Sequence, residues 1–277
     1  MIPLRRALSS TVIALTEAGI SSPEAEALTL VSFVTGVEPS RLVLLDTLSS
    51  EQEARLTEAI EARLSGVPLQ HITGRAYFRT ISVRVGPGVF IPRPETEVLA
   101  GWAIDQVINA VTRVVELCAG SGAISLSIAR ESSPAEQWAV EMSTQALSYL
   151  VENLGNTAIA VVEGDMATAL GEMNGTIDVV VANPPYIPQR TVVPPDVTQD
   201  PAGALYSGTD GLDATRIVAE VAMRLLRAGG VVGSEHGDDQ AEEVRRIFLN
   251  AGFTDVETHP DVNSRPRFVT ARKPDME

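Results

Sequence analysis

Along the first ~65 residues, apolar positions recur every three or four residues and no period-two alternation interrupts them. That spacing predicts a helix over 3–18, stopped by Gly19. Ser22-Pro23-Glu24 then supplies an N-cap, a proline at the first helical position and an acidic first turn for a second helix. A third helix ends near Leu64, with a capping box expected from Ser50 to Glu53. Beyond Pro68 the period shortens. Tyr77-Phe78 and Ile81-Val83-Val85 alternate, Gly86-Pro87-Gly88 reads as a turn, and Val89-Phe90-Ile91 follows, so 68–92 is expected to be a β-hairpin linker. From Glu95 onward helices are expected at 95–110, 122–131, 143–153, 213–228 and 238–251. Strands are expected at 113–117, 136–141, 159–163, 177–182 and 230–235, with two more near 254–258 and 267–272. Alternating strands and helices predict a parallel sheet covered on both faces. The last two strands lie so close in sequence that one must run antiparallel. The expected domains are a helical bundle over 1–67, the linker over 68–92 and an α/β domain over 93–277.

Composition narrows the partners. The 277 residues carry 36 acidic and 21 basic side chains, a net charge of −15, and neither side of Gln70 is basic on balance. Binding to a phosphate backbone draws mainly on Lys and Arg, so no direct nucleic-acid binding is expected. Cys118 is the single cysteine, and His71, His236 and His259 are scattered, which argues against an intrachain disulfide and against a metal site. No stretch approaches the ~20 apolar residues of a membrane span. Arg5-Arg6 precedes an apolar patch, but Ser9, Ser10, Thr11 and Glu17 break it, so an amphipathic helix is expected rather than a leader. The expectation is a cytoplasmic monomer without membrane contact.

Three predicted strand tips carry candidate chemistry. After the first comes Cys118-Ala119-Gly120-Ser121-Gly122, a small-residue turn into a helix. Its glycines admit a ligand close to the backbone, and its free N–H groups suit an anion. Glu116 beside it would repel a pyrophosphate but would hold an ammonium group. The second strand ends at Glu141, placed to accept hydrogen bonds from two ribose hydroxyls. After the third, Asp165 is positioned to accept an adenine amino proton while Met166 packs on the ring. Each has a plainer reading: a tight βα turn, a solvated strand-end charge, a helix cap. Together they suit an adenosine carrying an amino acid, namely S-adenosylmethionine.

The fourth strand, "IDVVVA", runs straight into Asn183-Pro184-Pro185-Tyr186. A residue before proline is pushed into extended geometry, and this holds for both Asn183 and Pro184. The mount is therefore rigid. The Asn183 side-chain oxygen and the Pro184 carbonyl can converge on one planar NH₂ group, with the Tyr186 ring against the flat group that bears it. A conjugated nitrogen is a poor nucleophile, and fixed acceptors on both N–H bonds would aim its lone pair.

This tetrapeptide resembles that of amino-methyltransferases acting on planar nitrogens. The closing strand pair is similar to that of a class I methyltransferase sheet, which implies a Rossmann-like, seven-stranded sheet with one antiparallel strand. "PLQHITGRAYF", "GVFIPRPETE", "DPAGALYSGTDGLD", "EHGDDQ" and "RPRFVTARK" resemble the HemK/PrmC family, the N5-glutamine methyltransferases of peptide chain release factors. The resemblance spans nearly the whole chain. Cys118-Ala119 departs from it, since the family more often has Gly-Thr there. It implies methyl transfer from S-adenosylmethionine to the glutamine of a Gly-Gly-Gln motif in a release factor. Asn183 to Tyr186 would then hold the glutamine, the Gly120 turn, Glu141, Asp165 and Met166 the cofactor, and Phe90, Arg93 and Glu95 would sit beside the substrate. For the last group an Arg93–Glu95 salt bridge at a helix start is the plainer reading, and His236 reads as a core histidine. The Pro-, Gly- and Asp-rich stretch 187–212 is expected to be a lid. Alternatives are an adenine-N6 methyltransferase of DNA or RNA, a ribosomal-protein glutamine methyltransferase, and a nucleotide-binding module without catalysis.

Overall fold

The computed structural model describes residues 1–194 and 197–275. It divides into two compact units, Met1–Arg75 with Pro194–Gln199, and Ala76–Val193 with Asp200–Glu277. In the first unit, helices α1 (Leu4–Glu17), α2 (Pro23–Thr35) and α3 (Ser50–Leu64) surround a core that includes Leu15, Leu30, Val31 and Leu48. A short helix α4 (Leu69–Thr73) follows. Strands β1 (Ile2–Pro3) and β2 (Thr47–Leu48) pair antiparallel, too briefly for any alternation to show in the sequence. The capping box lies one residue earlier than the sequence pattern suggested. The Gln52 N–H donates to Ser49 Oγ at 3.2 Å and the Ser49 N–H donates to Gln52 Oε1 at 2.9 Å. Glutamine serves at the third position as well as glutamate does, which moves the box off Ser50-Glu53. An Arg63–Glu26 ion pair at 2.7 Å ties α3 to α2.

The second unit begins within β3 (Arg75–Phe78), which with β4 (Ile81–Arg84) makes a two-stranded sheet. Two departures from the expected hairpin stand out: its first residues are helix α4, and Val89–Ile91 joins no ladder. The Ile91 N–H instead donates to the Asp200 carboxylate at 3.0 Å. After α5 (Thr96–Asp105) the chain alternates β5 (Arg113–Leu117), α6 (Ala123–Glu131), β6 (Glu136–Glu141), α7 (Thr144–Leu154), β7 (Ala160–Glu163) and β8 (Ile177–Ala182). Then come a four-residue helix α8 (Ala202–Leu205), α9 (Asp213–Leu225), β9 (Leu226–Glu235), α10 (Ala241–Asn250), β10 (Thr254–Pro260) and β11 (Pro266–Arg272). Helix α5 stops short of 110 because Asn109 Oδ1 accepts from the Val111 N–H and the Thr112 hydroxyl, turning the backbone. Helix α9 stops short of 228 because Leu226 already pairs with Ile177.

The sheet order is β10-β11-β9-β8-β5-β6-β7, with β11 antiparallel to both of its neighbours. This is the seven-stranded class I arrangement with its single reversed strand. Both faces are dry, which explains why β8 is apolar throughout rather than alternating. Val179 and Val181 join Leu99, Ile124, Ile128 and Leu150 on one face. Val180 and Ala182 join Val218, Leu225, Val244 and Phe248 on the other. Strand order reverses between β5 and β8, and the crevice beyond their carboxyl ends is where open α/β sheets take ligands.

Candidate active site

Strands β5 and β8 pair in parallel register, with Leu117 opposite Ala182. The next residues on each chain are Cys118 and Asn183, so the glycine turn and the Asn-Pro-Pro-Tyr loop leave the sheet side by side.

The turn is bent at three alternate, left-handed positions. Cys118, Gly120 and Gly122 have φ of 57°, 54° and 79°. A Cβ on Gly122 would lie 2.7 Å from Leu150 Cδ1, so glycine there also lets α6 approach α7. A Cβ on Gly120 would meet nothing within 4 Å, leaving room for a ligand against the backbone. Cys118 is the exception, a side chain at an angle that favours glycine. Burial pushes its thiol pKa well above the ordinary range. Its Sγ lies 3.5 Å from Met166 Sδ, so the tips of β5 and β7 touch. Ala119 is tied to β6 through its N–H on the Val140 carbonyl at 3.0 Å. Ser121 is buried, and its carbonyl accepts from Asn153 Nδ2 at 2.9 Å.

The acidic candidates divide. Glu141 Oε2 accepts the Gly120 N–H and Oε1 accepts the Ser143 N–H, each at 2.8 Å. The carboxylate therefore shapes the glycine turn as well as facing the crevice edge. Asp165 is exposed, and its Oδ1 accepts the Ala167 N–H at 2.9 Å in an Asx turn. Glu116 is not at the surface, where an ammonium group would need it. It is 2% exposed, and its Oε2 accepts the Ser125 N–H at 2.9 Å inside α6. Desolvation pushes its pKa up to about 8. Its place one residue before the strand end turns it under the turn, into the protein, rather than out over it.

The Asn-Pro-Pro-Tyr loop is held from behind. Asn183 Nδ2 donates to Thr96 Oγ1 at 3.2 Å, which turns the side-chain oxygen the other way. Among the described residues nothing donates to Asn183 Oδ1 or to the Pro184 carbonyl. Pro184 is buried and Pro185 half-buried. The Tyr186 hydroxyl donates to Glu235 Oε1 at 3.3 Å, and the Tyr186 carbonyl accepts from Gln240 Nε2 at 2.9 Å. Burial raises the phenol pKa, and Glu235 raises it further. Glu235 is 1% exposed, and desolvation lifts its pKa to about 7 against the pull of Thr96, Arg267 and Tyr186.

Arg93 pairs with Asp200, not with Glu95, and its guanidinium stacks 5.2 Å from the Phe90 ring. The buried Asp200 explains the choice, because it takes both that guanidinium and the Ile91 N–H. Two separated motifs, "IPRPETE" and "DPAGALY", thus meet at one carboxylate. Glu95 immediately precedes Thr96, and its charge raises the Glu235 pKa. His236 is fully buried, with Nδ1 donating to the Gly237 carbonyl at 2.7 Å, and desolvation lowers its pKa. Within 187–212, the residues just after Tyr186 bond those at 205–208. The Ile187 N–H bonds the Leu205 carbonyl at 2.8 Å, the Ser207 N–H the Ile187 carbonyl at 2.9 Å, and Gln189 the Gly208 carbonyl at 2.9 Å. Gly211 is needed there, since a Cβ would lie 2.3 Å from the Tyr186 carbonyl. Sequence reasoning assigned no role to Thr96, Glu235, Gln240 or Arg267. Each lies within a motif that marked the family resemblance, and that was the available signal.

The comparisons with known proteins agree with this geometry. Residues 6–74 match the PrmC N-terminal domain, and residues 96–200 match the methyltransferase small domain. Among solved structures, a methyltransferase from Pyrococcus furiosus superposes with a TM-score of 0.54 at 16% identity, covering 82% of this chain and 100% of that one. A 16S rRNA N2 methyltransferase from T. thermophilus, solved with AdoMet and guanosine, gives 0.53 at 21% identity over 72% and 49%. These establish the fold. The release factor glutamine methyltransferase of Streptomyces coelicolor is 45% identical over 94% of this chain and 94% of its own. That of Corynebacterium glutamicum is 40% identical over 99% and 100%. Similarity of that degree along essentially the whole length, with the Asn-Pro-Pro-Tyr loop beside the glycine turn, shows that this chain belongs to the release factor glutamine methyltransferase family.

Proposed function

We propose that this enzyme methylates the side-chain nitrogen (N5) of the glutamine in the Gly-Gly-Gln motif of peptide chain release factors. S-adenosylmethionine is the cofactor, and it supplies an electrophilic methyl group on a sulfonium. The crevice fits it in three respects. The Gly120 face is open where a Cβ would otherwise stand, Glu141 lies at the edge beside it, and Asp165 with Met166 borders the third strand tip. On this reading Cys118 to Gly122, Glu141, Asp165 and Met166 surround the cofactor. Glu116 serves by fixing the first turn of α6 beneath it.

The single observation that carries the reading is a pair of acceptors, Asn183 Oδ1 and the Pro184 carbonyl, that no donor among the described residues claims, at the strand tip next to the glycine turn. A primary carboxamide offers two N–H donors in one plane, and two fixed acceptors match it. Holding both N–H bonds draws the nitrogen toward tetrahedral geometry, which withdraws its lone pair from conjugation and points it toward the neighbouring turn. As the N–CH₃ bond forms, the S–CH₃ bond of the cofactor would break to leave a neutral thioether, and one of the two held N–H protons would pass to solvent. The rate then comes from orientation and fixed dipoles rather than from a strong base. Tyr186 supplies a flat wall for the carboxamide, and the Phe90–Arg93–Glu95 segment borders the peptide around it.

A carboxylate would bring like charge against the same oxygens, so replacing the target glutamine by glutamate abolishes the reaction. Asparagine reacts poorly because its nitrogen stops one methylene short. A release factor, a ribosomal protein and duplex DNA, each incubated with enzyme and methyl-labelled cofactor, test the proposal. Label is expected in the release factor alone. Label confined to DNA would replace the proposal with adenine-N6 methylation.

A further inference from the structure

Asn183 can act as an acceptor only if its amide is held oxygen-outward. An asparagine side chain rotated by half a turn occupies the same volume but presents an NH₂, which would repel the NH₂ of a substrate. Something must break that symmetry.

The Asn183 Nδ2 donates to Thr96 Oγ1 at 3.2 Å, and Thr96 is 4% exposed. A hydroxyl carries one proton. If that proton pointed at Asn183, the asparagine would have to turn its oxygen inward to receive it. The Thr96 hydroxyl also faces Glu235, whose acidity it increases. Among the described residues, Glu235 Oε2 is a buried acceptor without a formed hydrogen bond, while Oε1 already receives the Tyr186 hydroxyl at 3.3 Å. An unfilled buried acceptor draws the nearest hydroxyl proton toward itself.

We propose that Glu235 is a positioning residue that sets the direction of the hydrogen bonds through Thr96, and so fixes Asn183 with its oxygen toward the substrate. This rests on the reading of Asn183 as the carboxamide acceptor. A carboxylate only accepts, so Thr96 gives its proton to Glu235 and keeps only lone pairs for Asn183. The same carboxylate holds the Tyr186 ring. Gln240 then fixes the Tyr186 backbone, with its own Oε1 taking the Gly237 N–H at 2.9 Å. The "EHGDDQ" segment therefore grips both ends of the tyrosine.

Protonated Glu235 becomes a donor. Its proton can turn to Thr96, the Thr96 proton then turns to Asn183, and the acceptor is lost. The groups facing Glu235 are Tyr186 from the loop, Arg267 from β11, Thr96 on α5 and Glu95 just before it, with His236 adjacent in the chain. Arg267 favours the charged form, and burial and Glu95 oppose it, leaving the pKa at about 7. Activity therefore falls below about pH 7 through a group that never touches substrate.

The test uses the full-length enzyme with release factor and S-adenosylmethionine. Thr96→Val fills the same space without a hydroxyl and is expected to lower kcat by about 10- to 100-fold, the scale on which supporting partners of a reacting group act. The cofactor dissociation constant, measured by calorimetry, should not change. Thr96→Ser should restore most of that loss. Glu235→Gln should lower kcat and remove the acid limb near pH 7 from the kcat/KM profile. Equal kcat for Thr96→Val, Thr96→Ser and the parent enzyme overturns the inference, as does an acid limb that survives in Glu235→Gln. If Glu235→Gln does not fold, the kcat/KM profile of Thr96→Val decides: without the hydroxyl the acid limb should vanish, and a limb that survives there overturns the inference. An Asn183→Ala variant assayed in parallel separates the two levels. Activity retained there would sink the underlying reading, whereas activity lost there but kept in Thr96→Val would sink only this inference.

Discussion

The two halves of the crevice are built by different means. The carboxylate ties of the cofactor half span only 9 to 21 residues of chain. Gly120 and Gly122 set the turn, Glu141 grips it from the adjacent strand tip, and Glu116 bonds Ser125 nine residues on. The carboxamide half is assembled from afar. Asn183 and Tyr186 are held by Thr96 and Glu235, 87 and 49 residues away in the chain, and by Gln240, 54 away. Backbone shape governs the first half and side-chain hydrogen-bond polarity governs the second. The first should fail by losing affinity and the second by losing rate.

Asn183→Ala tests that division with the largest effect. Turnover is expected to fall by about 10²–10³, the scale for removing one preorganised polar group. Cofactor binding by calorimetry should stay near that of the parent, and its loss would place Asn183 in the other half. Glu141→Ala should show the reverse pattern. Removing the carboxylate frees two backbone N–H groups and takes away the acceptors proposed for the ribose. The cofactor dissociation constant should rise by about tenfold, the equivalent of one charge-assisted hydrogen bond. An unchanged constant would move the ribose elsewhere.

Glu116 gives a prediction in pH rather than in rate. Its folded-state pKa of about 8 stands above the ordinary 4.5. Between those values the unfolded chain has released a proton that the native protein still holds. Stability from this group is therefore full below about pH 4.5 and declines as pH rises toward 8. Glu116→Gln has no proton to lose, so its stability relative to the parent should increase from pH 5 to pH 8 in denaturant titrations. A pH-independent difference would contradict the assigned burial cost.

The smallest effect is expected at Cys118. Glycine at φ 57° relieves left-handed strain of about 1 kcal/mol. Cys118→Gly should therefore raise the melting temperature slightly and leave cofactor affinity close to that of the parent. A lower melting temperature would show that the contact with Met166 outweighs the strain.

The same contrast explains what could be read from the sequence. The alternation of helices and strands gave the sheet, its covered faces and the reversed final strand, because burial on both faces writes continuous apolar runs. The glycine turn and the Asn-Pro-Pro-Tyr loop were equally legible, since glycine and proline act on their own backbone. What stayed hidden depended on distant partners. Asp200, rather than the nearby Glu95, takes Arg93, and no local spacing encodes that choice. Glu116 looked exposed at a strand end, but its carboxyl turns inward to an α6 amide. Thr96, Glu235 and Gln240 are ordinary polar residues until the fold brings them behind the loop. Boundaries slipped where a side chain intercepted the backbone, as Asn109 does after α5 and Gln52 does in the first turn of α3.

The most direct measurement is the site of the methyl group. Purified release factor, incubated with enzyme and S-adenosylmethionine and then digested, is examined by tandem mass spectrometry. The account predicts one added methyl on the amide nitrogen of the glutamine in the Gly-Gly-Gln peptide, and none when that glutamine is replaced by glutamate. A methyl on any other residue, or one that persists on the glutamate variant, would contradict a pocket built from two acceptors around one carboxamide.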